Sequence, residues 1–522
     1  MIGFVRQNLA QLFSEIPVPV LSTDELPEVA ITGITNDSRA VQPGTLFVAQ
    51  QGASTDGHQY IPQVIQNGAV AVVGTQALKN LCVPYVQVED SRKALAYLAA
   101  AFYGFPARRL TMIGVTGTDG KTTTANLIYE ILLAARLAGG IISTVNAVIG
   151  DEVLETGLHV TTPEAPDVQR YLARMVVAGL THVVLESTSH GLAQHRVSGC
   201  EFDIGVVTNI THEHLDFHGS YAAYRAAKAR LFSGLAETHA KQCGNPRLAV
   251  LNLDDSSYDY LSGEANVQQL GYSLKRRGEG VWAEDIAHDG GGLHFTACGP
   301  GFRFRVDCNL VGDYNVSNCL AAIAATVVGL GIDPEKVQRG IANLRGVPGR
   351  MERIQMNQEF IAIVDFAHTP NALKVTLETA RKMTEGKLIA VFGSAGLRDR
   401  QKRRMMAETA VQLADMTVLT AEDPRTEDLG AILAEMSAAA VQAGGVEGQT
   451  FLRIADRGEA LRQAVRLAQP GDLVIACGKG HEQSMCFSMV EYPWDDRIAL
   501  RAALAERLGL SEPKMPFLPT QP

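Results

Sequence analysis

Apolar and polar positions alternate along this chain in two registers, and their order predicts an α/β protein. Short apolar runs such as Leu110 to Ile113, Val183 to Leu185, Ile361 to Val364, Leu388 to Phe392 and Leu473 to Cys477 have the length of buried strands. Each is followed by glycine-rich or polar sequence, and then by apolar residues at helical spacing, as in Ala125 to Leu137. Strand and helix alternating in this way imply parallel sheets covered by helices. Three segments follow from the pattern. Residues 1–108 carry short strands between turn clusters, residues 109–346 open on a glycine-rich turn, and residues 347–522 begin near Val347 to Arg350 and repeat the alternation. The proline-rich stretch from Ser511 to Pro522 reads as a loose tail.

At 522 residues the chain exceeds what one core holds, so several domains are expected. A net charge of −10 argues against a nucleic-acid partner, whose phosphates call for a basic surface. No run reaches the ~18 apolar residues of a membrane span. The first residues have neither the basic start nor the apolar stretch of an export signal. The eight cysteines are scattered, without CxxC or zinc spacing, which reads as reduced thiols in a cytoplasm.

The richest chemistry lies in Gly114 to Thr124, between a strand and a helix. Glycines 117 and 120 let backbone N–H groups close around an anion at a helix start, with Thr118 and Thr123 in the same turn. Lys121 supplies a mobile positive charge, and the hydroxyl of Thr122 can ligate Mg²⁺. Val115 stands where the common phosphate loop has its first glycine. The context still predicts ATP or GTP binding with Mg²⁺. Glu186 ends a strand, so it falls on the edge of the sheet where ligands bind. Taken alone it is a surface carboxylate, and Lys228, in the helical stretch Tyr224 to Phe232, is a solvated charge.

Further motifs in order are Asp37 to Arg39, Glu186 to Arg196, Thr208 to Gly219, Ala226 to Lys228, Leu310 to Asn318, Gly346 to Arg353, Val364 to Pro370, Glu422 to Arg425 and Gly478 to Glu482. With the glycine-rich turn, they resemble the Mur ligase family over nearly the whole chain. The resemblance implies a three-domain architecture with a central P-loop parallel sheet and a C-terminal Rossmann-like domain. Residues 1–108 would bind the UDP-substrate, 109–346 would bind ATP, and 347–522 would bind the amino-acid acceptor. The motifs are most similar to members that add a diamino acid to UDP-N-acetylmuramoyl-L-alanyl-D-glutamate in peptidoglycan synthesis. Such members work as cytoplasmic ATP-dependent ligases through an acyl phosphate, and a monomer is expected.

By that resemblance, Lys121, His214 and Lys228 are catalytic, and Thr122, Glu186, His214 and a carbamylated Lys228 hold Mg²⁺. An imidazole is a less typical ligand for so hard a cation than the oxygens. ATP would meet Gly117, Thr118, Gly120, Lys121, Thr122, Thr123, Asn209, Asn315 and Arg350. Ser38, Ala53, Ser54 and Thr55 would meet the uridine diphosphate. Thr161, Thr162, Thr188, Gln194 and Arg196 would hold the muramoyl-dipeptide. Arg398, Glu422, Asp423, Pro424, Arg425, Gly478 and Glu482 would receive the acceptor. Because nucleotide and acceptor motifs fall on different segments, the third segment is expected to swing toward the central one when substrates bind, aligning the amine with the acyl phosphate and excluding water.

Departures from the family pattern carry information. Asp119 stands for the commoner asparagine and sets a carboxylate near polyphosphate; Thr188 replaces a serine and keeps the hydroxyl. Glu422-Asp-Pro-Arg425 replaces the Asp-Asn-Pro-Arg of members using meso-diaminopimelate. Asp423 would welcome the cationic end of lysine or ornithine, whereas Arg425 favours the distal carboxylate of meso-diaminopimelate. The charge balance favours diaminopimelate, with L-lysine or L-ornithine as the alternative. A folylpolyglutamate-type ligase would not account for the last two motifs together, and an inactive nucleotide-binding scaffold would not need the intact Lys121, Thr122, Glu186, His214 and Lys228.

Overall fold

The computed structural model describes residues 7–21, 26–52, 55–154, 161–211, 213, 215–289 and 292–520. Three parallel-rich sheets follow one another along the chain. The first has four parallel strands in the order Gly33–Thr35, Thr45–Val48, Ala69–Gly74, Tyr85–Gln87. Helix Ser91–Phe102 covers it. Asp90 caps that helix by accepting from the N–H groups of Arg92 and Lys93, and the helix buries Leu95 and Leu98 with the sheet residues Leu46, Val48 and Val73.

The central sheet has eleven strands. Its parallel part runs Gly139–Ile142, His182–Glu186, Thr111–Thr116, Ile204–Val207, Leu248–Asn252, Gln268–Ser273, Val281–Asp289; Gly292–Gly299 and Phe302–Cys308 extend it antiparallel at one edge, Ala147–Ile149 and Glu152–Leu154 at the other. Strand Thr111–Thr116 is buried throughout, which explains its unbroken apolar run rather than an alternating one. Both of its neighbours are parallel to it, so the turn after Thr116 opens in the crevice beyond the strand ends. The helix after that turn is Lys121–Ala134, starting four residues before the apolar periodicity does. Those four residues form the first helical turn, whose N–H groups lack partners within the helix and so serve an anion. Leu127, Ile128, Ile131 and Leu132 are fully buried in the core on one face of the sheet, each contributing about 1.5–3 kcal/mol by burial. Helix Pro334–Asn343 seats Gly340 on this helix. A Cβ at Gly340 would fall 2.5 Å from the Ile131 Cα, so only glycine permits the approach.

The third sheet has six strands in the order Glu352–Arg353, Ile361–Asp365, Leu473–Cys477, Leu388–Phe392, Met416–Leu419, Phe451–Arg453, all parallel except the first. Helices line both faces and close two cores. Arg457, fully buried, donates to both carboxylate oxygens of Asp496 and to the carbonyls of Ala421 and Cys477, so its charge is met on every side. The stretch after Ser511 is not loose. Leu518 is fully buried, Met515 packs against the core, and the Thr520 hydroxyl donates to Asp456 Oδ2 at 2.8 Å. Proline stiffens an extended strap without preventing it from burying apolar side chains. Among the described residues no helix is long and apolar enough to cross a membrane.

Candidate active site

The carboxyl ends of the central and third sheets face one cavity of about 1670 Å³. Thr118, Asp119, Gly120, Lys121, Thr122 and Thr123 line one wall. Gly117 and Gly120 have φ of +149° and +81°, and side chains there would run into Thr208 and Asn318. The turn is laced to the loop after strand Ile204–Val207. Thr118 N–H donates to the Asn209 carbonyl at 2.7 Å, Asp119 N–H to Asn209 Oδ1 at 3.0 Å, and Thr208 Oγ1 to the Asp119 carbonyl at 2.6 Å. Asn209 therefore shapes the phosphate loop besides lining the cavity. Lys121 folds back to donate to the Thr118 carbonyl at 2.8 Å, a contact that a phosphate can replace.

Glu186 is buried at its strand end. It accepts the Thr122 hydroxyl at 3.0 and 3.1 Å and the Thr144 N–H at 3.1 Å. A hydroxyl and a carboxylate converging beside a phosphate cradle form a hard oxygen donor set, which suits Mg²⁺. His214 lies outside the described residues. Lys228 is buried, and its ammonium donates to the Gly117 carbonyl at 2.5 Å over the ring of Tyr224. The surface reading of this lysine does not hold. Burial, then the charge of Lys121, pushes its pKa well below the ordinary lysine range, against the opposing pull of Glu213, Asp119 and Glu186.

Asn315 and Asn318 stand on helix Tyr314–Ile323; Asn318 Nδ2 donates to Asn315 Oδ1 at 2.9 Å, and both line the cavity. Arg350, from the start of the third segment, donates to Thr122 Oγ1 at 3.3 Å and lies over the Phe366 ring. His368 approaches Glu213 at 3.7 Å, and Lys382 donates to Asp313 at 3.0 Å. The third segment is thus drawn against the central one. Asp119 faces Lys121, Arg350 and Asn371 there, although burial and Glu213 raise its pKa.

Thr161, Thr162, Thr188 and Arg196 reach the same cavity. Thr188 caps helix Ser189–Ala193 and shares a hydrogen bond with Thr162 at 3.0 Å, so the hydroxyl at this position has a structural duty. Arg196 is already held by Glu164 at 2.9 Å and by Gln194, which orients it but does not line the cavity. Ser38 and Thr55 lie on the first unit and do not line this cavity, and Ala53 and Ser54 lie outside the described residues.

On the opposite wall stand Arg398, Glu422, Asp423, Arg425, Gly478 and Glu482; Pro424 is buried behind them. Asp423 is not the open carboxylate that its sequence suggests. The buried Lys479 ammonium donates to both of its oxygens at 3.0 Å. Nothing local marks Lys479 inside the Gly478 to Glu482 motif, or Glu213 between two histidines, as a charge-pairing residue. Their positions were in the motifs, but only folding shows which charges they face. Among the described residues Arg425 has no ion-pair partner.

Burial pushes the Glu422 carboxyl up to about 7 despite Arg457, and its Oε2 accepts no hydrogen bond. A carboxyl whose folded pKa lies above its unfolded value binds its proton more tightly in the fold. Its stability contribution is full below the ordinary carboxylate range and is lost as pH rises toward about 7. Glu422→Gln is therefore expected to flatten that decline by about 3 kcal/mol between about pH 4.5 and 8, measured by denaturant unfolding. An unchanged slope would show that Glu422 is ionised in the fold.

A glycine-rich loop at a helix start, a buried carboxylate bonded to a hydroxyl, and a second α/β unit facing them across one cavity form an arrangement suited to an ATP-dependent ligase. The comparisons agree. Residues 30–103 match the Mur ligase family catalytic domain, residues 115–326 the Mur ligase middle domain, and residues 349–480 the Mur ligase glutamate ligase domain. The UDP-N-acetylmuramyl-tripeptide synthetase of Roseiflexus sp. (strain RS-1) is 44% identical over 92% of this chain and 95% of its own. The UDP-N-acetylmuramoyl-L-alanyl-D-glutamate–2,6-diaminopimelate ligase of Geobacillus thermodenitrificans (strain NG80-2) is 41% identical over 91% and 95%. A solved structure of a ligase with that second name superposes with a TM-score of 0.66 at 30% identity, covering 97% of this chain and all of the other. The folylpolyglutamate synthase of Mycobacterium tuberculosis shares the fold alone, with a TM-score of 0.61 at 16% identity over 81% of this chain and 96% of its own. The chain belongs to the Mur ligase family and is an ATP-dependent ligase of peptidoglycan synthesis.

Proposed function

We propose that the protein joins meso-diaminopimelate to UDP-N-acetylmuramoyl-L-alanyl-D-glutamate, with residues 1–108 receiving the uridine diphosphate, 109–346 the ATP, and 347–522 the acceptor. The names of several relatives support the general reaction, since they are called diaminopimelate ligases. Others are called tripeptide synthetases, which leaves the diamino acid open. The observation that carries the choice is Arg425, a guanidinium on the acceptor wall with no ion-pair partner among the described residues. Diaminopimelate brings a distal carboxylate to it; lysine and ornithine bring only a cation. Lys479 on Asp423 removes the main attraction for such a cation.

In this reading the terminal carboxylate of the UDP-substrate attacks the γ-phosphorus of ATP. The bond to the β–γ bridging oxygen breaks, giving an acyl phosphate and ADP. The acceptor amine, as the free base, then adds to the acyl carbon. The tetrahedral adduct expels phosphate, and the nitrogen loses its proton to leave the amide. Lys121 and the loop N–H groups stabilise the migrating phosphoryl. Arg350 brings the third segment to Thr122, and closure there around bound substrates would exclude water that hydrolyses the acyl phosphate. Thr122, Glu186, His214 and a carbamate on Lys228 would hold Mg²⁺, which offsets phosphate charge when bound. The buried, readily neutralised Lys228 amine suits addition to CO₂, because only the free base is nucleophilic. One chain supplies both walls of the cavity, so we read the active species as a monomer.

Arg425→Ala is expected to raise the diaminopimelate KM by one to two decades, corresponding to about 1.5–3 kcal/mol for a lost charge-assisted pair. The KM values for ATP and the UDP-substrate should move little. The test is steady-state phosphate release with each diamino acid offered separately. A preference of the unsubstituted enzyme for lysine or ornithine in direct competition would overturn the acceptor and leave the ligase.

A further inference from the structure

Lys479 is fully buried between Gly478 (φ +108°) and Gly480 (φ +52°), on a loop that only such glycines let pass close beneath the acceptor wall. Its ammonium donates to Asp423 Oδ1 and Oδ2 at 3.0 Å and pairs with Glu482 Oε2 at 2.5 Å. Asp423 Oδ1 also accepts the Cys486 N–H at 2.9 Å. On either side of Pro424, Asp423 and Arg425 hold φ of +39° and +54°, a conformation costly for side-chain-bearing residues unless the surroundings impose it. Backbone bonds from Arg425 N–H to the Cys486 carbonyl and from Ser488 N–H to the Arg425 carbonyl complete the clamp. The turn that presents Arg425 is thus fixed through Asp423, and Asp423 through Lys479.

The charge count is the consequence. Two carboxylates and one ammonium leave a single negative charge on the cluster of Asp423, Lys479 and Glu482, and Lys479 occupies the oxygens that a cationic side-chain end would otherwise take. We propose that Lys479 is a specificity-determining positioning residue: its ammonium, held between Asp423 and Glu482, denies those carboxylates to a cationic acceptor terminus and leaves Arg425 as the group that reads the acceptor's distal end. This rests on the reading of the wall as the acceptor subsite. It explains how an aspartate replaces asparagine beside Arg425 without turning the site toward a bare cation: the added negative charge is matched by a buried positive one already in place. A structural role alone would make Lys479 important for folding but blind to the acceptor's charge.

The experiment measures kcat/KM for diaminopimelate and for lysine with the purified full chain, ATP and the UDP-substrate, and follows their ratio. Lys479→Met removes the ammonium from between two carboxylates and should shift the ratio toward lysine by about tenfold or more. Asp423→Asn removes one carboxylate and should shift it the other way, by about threefold or more. The double variant restores the original charge count and should return within about threefold of the unsubstituted ratio. Equal losses for both acceptors in Lys479→Met, or an unmoved ratio in Asp423→Asn, would overturn the proposal. If Lys479→Met does not fold, Asp423→Asn decides alone. The absolute preference of the unsubstituted enzyme tests the acceptor assignment separately, since the proposal concerns only the direction in which the ratio moves.

Discussion

Lys121→Ala is expected to cut ligase turnover by about 10²–10³-fold or more while the fold survives. The side chain contributes nothing to a core. It sits in the first turn of helix Lys121–Ala134, lines the cavity, and donates to the Thr118 carbonyl three residues back. In the proposed mechanism its value is electrostatic and comes as the γ-phosphoryl charge redistributes. Because the helix already aims its free N–H groups at the same place, nucleotide binding should weaken less than turnover falls. Phosphate release dependent on both UDP-substrate and acceptor, alongside circular dichroism, checks this. Near-normal turnover in a folded variant would remove Lys121 from the mechanism.

Lys228→Ala is expected to lose activity by about 10²-fold or more, and a short carboxylic acid in solution should restore part of it. Truncation opens a space beside the Gly117 carbonyl, next to Glu213 and Asp119, and a small carboxylate can stand where the carbamate would. The alternative is that the lysine acts as an ammonium that steadies the phosphate loop through Gly117. These part cleanly: a carboxylic acid rescues the first role, whereas a small amine rescues the second. Full activity in the alanine variant would eliminate both.

The glycine-rich loop and the residues lining the facing wall were legible as motifs, yet their partners were not. Lys228 had the sequence of an exposed helical lysine, in a stretch without a marked apolar face, and its burial under the phosphate loop comes from the packing of helix Tyr221–Ser233 against the central sheet. Asp423 looked like an open negative charge because the lysine that compensates it lies 56 residues later in the chain. Arg196, which the resemblance sets against the muramoyl-dipeptide, has one of its nitrogens already held by Glu164, which no motif announces. The segment after Ser511 looked loose because composition reports stiffness and polarity, while burial of Leu518 depends on a groove made by other elements.

By itself the sequence determined what local physics fixes. Unbroken apolar runs followed by helical spacing specify buried parallel strands with crossover helices, and glycines at positions 117 and 120 with Lys121 specify an anion cradle at a helix start. These depend on neighbours within a few residues, so they are written in order along the chain. The tertiary structure alone decided which charges meet. Strands far apart in sequence end at one cavity, bringing Arg350 to Thr122 and Lys479 to Asp423. An ionised group's effect depends on its burial and on the charge a few ångströms away, and neither distance nor burial is a property of a residue's place in the chain.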